Sequence, residues 1–128
     1  MVDWVFLYRD AAYLLVDYMN LSILGEKRFD PPCSLTWISD ENPRPRTIIE
    51  LGSGIGYVGL GLIDVLCRLG RSDNIILTDL PDVCPLLEEK LHTAIQSNGE
   101  FPKTVRWAVE PLPWGDDGYA RQIGRAHV

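Results

Sequence analysis

Hydrophobic positions along the chain alternate between two rhythms. Residues 47–51, TIIEL, form a short β-branched run with one acid that stops at a ladder of glycines, which predicts a buried strand and a turn. Gly52, Gly54 and Gly56 allow positive φ in that turn and let the backbone approach a ligand closely. The spacing then becomes helical. Val58, Leu62, Val65, Leu66 and Leu69 share one stripe, and Gly70 stands where a left-handed residue would end the helix. A second apolar run, NIILT at 74–78, ends at Asp79, and Pro81 suits the first turn of a further helix. Its stripe is Val83, Leu86, Leu87, Leu91, Ala94 and Ile95, running to about Ser97, with Asp82 favouring the positive end and Asn98-Gly99 closing it. Residues 104–109 read as a third strand.

Strand, helix, strand, helix, strand is the order of an α/β fold, a Rossmann-like doubly wound parallel sheet with right-handed crossovers. Upstream, Asp10 can cap a helix over residues 11–19, in which Ala11, Leu14, Leu15 and Tyr18 fall on one face. That helix reads as a packing element. From residue 21 to 46 the periodicity fails, and Pro31, Pro32, Pro43 and Pro45 with Asn42 and Gly25 mark an irregular connector. Trp37 is costly to leave in water, so Leu35, Trp37 and Ile38 are expected to fold back onto the body, with room for a short strand there. The chain contains no internal repeat.

At 128 residues and 46% hydrophobic content there is material for one core, hence one domain or less. A net charge of −6 and a pI near 4.8 leave no basic face for nucleic-acid phosphates or anionic lipids, so direct binding to either is not expected. Cys33, Cys67 and Cys84 are odd in number and lack a C-x-x-C, which predicts buried reduced thiols in place of disulfides or a zinc site. No basic region precedes the apolar start at residues 5–7, and no apolar run spans a bilayer. A soluble cytoplasmic protein is the expectation.

In open parallel sheets a ligand sits at the carboxyl ends of the strands, where Glu50, Gly52, Gly54 and Asp79 all arrive. Asp79 can accept both hydroxyls of an adenosine ribose, and Glu50 can accept from an ammonium or a water beside it. The plain alternative makes Asp79 a helix cap and Glu50 an acid at a strand end. Gly54, Gly56 and Gly59 also satisfy the dinucleotide pattern G-x-G-x-x-G, with Asp79 twenty residues after Gly59. The frame E-L-G-S-G-I-G argues against that use. An acid at Glu50 sits poorly beside a pyrophosphate and well beside the cationic amino-acid portion of a methionine-derived cofactor. His92, on the second helix, is expected to face solvent.

At these residues the chain resembles the class I, seven-β-strand methyltransferases that use S-adenosylmethionine. IIELGSGIGYVGL resembles their first motif, TDLPDVCPLLEEKL their acidic second-strand motif with the following helix, and LPWG at 112–115 a tryptophan segment after the third strand. Together these are similar to family 16, the protein-lysine methyltransferases. The segment DAAYLLVDYM is similar to that family's upstream W-x-A-A-x-x-L-A-x-Y-L helix, although Tyr8 and Arg9 stand where a tryptophan is expected. DPP at 30–32 looks most like fungal members acting on translation elongation factors. The resemblance assigns Gly52, Ser53 and Gly54 to the methionine portion of S-adenosyl-L-methionine, Asp79 to its ribose and Trp114 to the adenine surroundings; Glu50 and Gly56 complete the expected cofactor-binding set. Trp114 has a second reading, a hydrophobic plug at a turn. The resemblance implies no metal and little acid–base chemistry, because a sulfonium methyl is already electrophilic and the protein mainly positions a deprotonated lysine amine. Its catalytic residues are not among those matched.

Three parts are expected: a helix and proline-rich connector over 1–46, a partial methyltransferase domain with strands one to three over 47–121, and a tail over 122–128. IGRAHV at 123–128 resembles the translation of a common sequencing-library adaptor and is set aside from fold reasoning. Strands four to seven have no counterpart, so the first strand should present a bare edge and the polypeptide should lack methyl transfer. An NAD-dependent oxidoreductase and a non-catalytic adenosine-binding or interaction module are the alternatives.

Overall fold

The computed structural model describes residues 4–36, 44–97, 99 and 104–127. Its elements are α1 (Trp4–Ile23), a 3-10 turn (Ser34–Thr36), β1 (Thr47–Leu51), α2 (Tyr57–Arg68), β2 (Asn74–Asp79), α3 (Cys84–Ser97), β3 (Arg106–Pro111) and α4 (Asp117–His127). The strands form one parallel sheet in the order β1-β2-β3, with Ile49 opposite Ile76 and Ile76 opposite Ala108. This is the expected α/β arrangement, a three-stranded parallel sheet flanked by helices, as in the N-terminal part of a Rossmann-like fold. β2 is central and covered on both faces, which is why NIILT is apolar without alternation.

One face carries the main core. Ile75 and Leu77 of β2 pack with Leu62, Val65 and Leu66 of α2, with Leu87 and Leu91 of α3, and with Val16, Met19 and Ile23 of α1. Close approach of α2 requires Gly59, because a Cβ there would run into the Leu77 side chain and come within 2.7 Å of a Glu50 carboxylate oxygen. Gly61 does the same for α1, since its Cβ would lie 3.1 Å from both Val16 methyls. Gly70 ends α2 with φ +65°, its N–H donating to Cys67 O and that of Arg71 to Leu66 O, the double bond of a Schellman motif. On the other face α4 buries Ile123, and its His127 ring meets Glu110 of β3 at 3.0 Å.

Several sequence expectations are corrected. α1 starts at Trp4, so Asp10 lies inside it and caps nothing, and it extends to Ile23 in what was read as connector. Its buried face is Val16, Met19 and Ile23, whereas Leu14 and Leu15 are exposed. The helix has apolar residues on more than one side, and the position of Gly61 on α2 decides which side docks. The connector holds a 3-10 turn at Ser34–Thr36 where a strand was allowed; Leu35 packs on the core, while Trp37 and Ile38 lie outside the described residues. Pro81 sits in the turn ahead of α3, which begins at Cys84, and Leu86 is exposed. Leu69 is the exposed C-cap of α2 and lies off its buried stripe. β3 lies two residues later than its expected span. Cys33 and Cys67 are buried cysteines, and Cys84 is half-buried.

At the amino ends of the strands a buried charge cluster ties the chain together. Asp73 is fully buried; it accepts from the Arg46 backbone N–H at 2.8 Å and pairs with the Arg46 and Arg71 guanidiniums at 3.0 Å each. The same arginines donate to Leu35 O and Arg44 O, which pins the connector against the sheet. Burial alone would raise the Asp73 carboxyl, but the hydrogen bonds from Arg71 and Arg46 outweigh it and hold its pKa below the ordinary value. Its contribution is therefore complete above the unfolded carboxylate pKa of about 3.9 and is lost as pH falls through the lower folded value. Asp73→Ala leaves the buried Arg71 and the half-buried Arg46 without their carboxylate and should cost about 3 kcal/mol in urea denaturation at pH 7. The gap from the parent chain should narrow in acid.

Candidate functional site

The glycine turn is held against the end of β2 by three hydrogen bonds. Ser53 N–H donates to Thr78 O at 2.8 Å, Thr78 Oγ1 donates to Glu50 O at 2.6 Å, and Gly54 N–H donates to Asp79 Oδ2 at 2.7 Å. Gly52, Gly54 and Gly56 have φ of +68°, +57° and +81°, so all three occupy the left-handed region that favours glycine. A Cβ at Gly56 would in addition lie 2.8 Å from Leu87. Sequence and geometry agree here for a specific reason: each turn residue that reverses the chain has no side chain to strain.

Asp79 is the junction of the site. Beyond Gly54 it accepts from Leu80 N–H through Oδ1, and its carbonyl accepts from Leu112 N–H at 2.8 Å, which sets the segment after β3. That segment carries Trp114, whose indole is 80% exposed and leans over the loop, its Cζ2 3.7 Å from where a Gly52 Cβ would be. A tryptophan so exposed is not a buried plug. It is a flat apolar surface open on one side, beside a carboxylate with lone pairs to spare.

Two polar side-chain atoms at the loop lack partners. Glu50 Oε2 and Ser53 Oγ are both buried, and neither has a hydrogen-bond partner among the described residues. Burial pushes the Glu50 carboxyl up from its ordinary pKa; the nearby Ser53 hydroxyl and Gly59 amide offset only part of this, and the charge of Asp79 adds to it. Ser53 acts at a distance, since its hydroxyl is not in hydrogen-bonding geometry with the carboxylate. A half-buried carboxylate with an unpartnered oxygen is costly in the free protein.

Glu50, Gly52, Ser53, Gly54, Gly56, Asp79 and Trp114 thus converge on the carboxyl edge of the sheet. His92 lies elsewhere, half-exposed on α3 with its ring edge against Trp107. Reading by sequence missed Thr78, the hydroxyl that stitches β1 to β2; its signal was a lone polar residue closing an aliphatic strand. It also missed an edge-to-face pair of Tyr13 on α1 and Tyr57 at the start of α2, with centroids 4.7 Å apart. Among the described residues no group of metal-ligating side chains forms a metal site, and no helix is long and apolar enough to cross a membrane.

The raised Glu50 pKa has a definite sign. The folded chain holds its proton to higher pH than the unfolded chain, so stability falls as pH rises from the unfolded carboxylate value through the folded one. Glu50→Gln removes that charge. Thermal unfolding followed from pH 4 to 8 should show a higher midpoint for the variant at neutral pH and a shallower decline across that window; equal midpoints throughout would contradict a strained Glu50.

Comparison with known proteins adds one match. The family model for lysine methyltransferases aligns with residues 7–128, spanning every described helix and strand apart from the first residues of α1. No curated protein and no solved structure matches the chain. Since the alignment takes in nearly the whole sequence, glycine loop, acidic β2 end and Trp114 included, this chain belongs to the lysine methyltransferase family.

Proposed function

We propose that the carboxyl edge of the sheet binds S-adenosyl-L-methionine and that the reaction this edge is built for is transfer of the methyl group to a protein lysine, with a translation elongation factor as the substrate class. The observation that carries the cofactor reading is the pair of buried, unpartnered acceptors at Glu50 and Ser53 directly under the glycine loop. They suit a ligand whose amino-acid end bears a positive charge, and they suit a pyrophosphate poorly. When bound, the cofactor supplies an electrophilic sulfonium methyl. In this reading Asp79 receives the ribose hydroxyls, Trp114 covers the adenine, and Gly52, Ser53, Gly54 and Gly56 let the methionine portion lie against backbone. The elongation-factor class rests on the DPP segment at 30–32 alone.

A dinucleotide cofactor is the competing reading, because Gly59 allows the close helix–strand approach that the third glycine of G-x-G-x-x-G provides. A non-catalytic adenosine-binding module is a further one. Isothermal titration separates them. The chain should bind S-adenosylhomocysteine and show no heat with NAD, and Asp79→Ala should weaken that binding tenfold or more by removing both the ribose acceptor and the Gly54 tether. Preference for NAD would establish the dinucleotide reading, and a folded chain that binds neither would establish an interaction role.

A further inference from the structure

The Tyr13–Tyr57 pair has no part in the site described above, yet its position is informative. Val16 meets Gly61, and one turn back on each helix Tyr13 meets Tyr57. Stepping toward the N-terminus on both helices keeps them in contact, so α1 and α2 run in the same direction here. Tyr57 directly follows Gly56, which places the pair level with the glycine loop at the carboxyl edge of the sheet.

As packing the pair is expendable. α1 is already docked through buried Val16, Met19 and Ile23, whereas Tyr13 and Tyr57 stay 47% and 40% exposed. Two large rings held edge to face and left open to solvent offer a rigid aromatic surface with low entropy to lose on binding. Asp79 and Trp114 lie on the β2–β3 side of the loop, and the tyrosines lie on its α1–α2 side. A ligand with its ribose on Asp79 and its base on the Trp114 side would cross the loop and end at the tyrosines. In S-adenosylmethionine that far end carries an ammonium and a carboxylate. Aromatic faces attract cations, and Gly56 caps α2 with no side-chain hydrogen bond.

We propose that Tyr13 and Tyr57 form an aromatic wall that receives the charged amino-acid end of the cofactor, with Glu50 beneath it and the rings at its side. This rests on the cofactor reading above and adds two positioning residues to it. The test is titration of the full chain with S-adenosylhomocysteine and with 5′-methylthioadenosine, which lacks the amino-acid end. Tyr57→Leu should weaken S-adenosylhomocysteine about fivefold, the scale of one exposed cation–aromatic contact, and leave methylthioadenosine within about twofold. Tyr57→Phe should restore the parent affinity. Tyr13→Leu provides the same comparison should Tyr57→Leu fail to fold. Equal losses for both ligands, or no loss for either, would overturn the wall while leaving the cofactor reading intact; a parent chain that binds neither ligand would overturn both.

Discussion

Everything at the carboxyl edge depends on how the glycine loop is fastened to the end of β2. A turn of three left-handed glycines has high conformational entropy when free, so without fasteners it would hold no fixed shape. Thr78 and Asp79 supply them, one through its backbone carbonyl and hydroxyl, the other through its carboxylate. Because the Asp79 carbonyl also accepts from Leu112 N–H, the loop, the acid and the segment bearing Trp114 are tied together. The residue proposed to receive a ribose is therefore the residue that shapes the loop around it.

The two ends of the sheet divide the work. At the amino ends Asp73 is buried with both carboxylate oxygens engaged by two arginines, which locks that carboxylate, and Arg46 Nε is the one buried atom there without a partner among the described residues. At the carboxyl ends Glu50 Oε2 and Ser53 Oγ are buried without hydrogen-bond partners among the described residues, and Trp114, Tyr13 and Tyr57 are exposed. Both ends contain buried acids, but opposite balances of burial and hydrogen bonding drive their pKa values in opposite directions. A locked end can tolerate an unsatisfied one, which is where strain useful for binding accumulates.

Strands, the glycine turn and the parallel order were legible because β-branched runs and glycines act locally: β1 matches its expected span, β2 exceeds it only by Asp79, and each turn glycine has positive φ. The α1 face was not legible. Leu14, Leu15, Val16 and Met19 offer two apolar stripes, and the choice between them was made by Gly61, forty-five residues after Val16, which admits that side chain. The site residues were legible as a set, since the acid of β1, the glycines and the acid of β2 have a spacing that topology converts into proximity. Their hydrogen bonds were not. Nothing in TDL announces that one carboxylate oxygen holds Gly54 and the other Leu80. Nor does spacing reveal Thr78 reaching Glu50 O, because in a parallel pair that contact depends on twist and register together.

The central claim is that the loop is preorganised by β2 before any ligand arrives. Amide hydrogen exchange of the free chain, read residue by residue by NMR, tests it most directly. The Ser53 and Gly54 amides should exchange as slowly as the flanking amides of β1 and β2, despite lying in an exposed turn. Exchange of both at the rate of an unstructured glycine-rich peptide would show that the loop takes its shape only from what it binds, and the account would be wrong at its root.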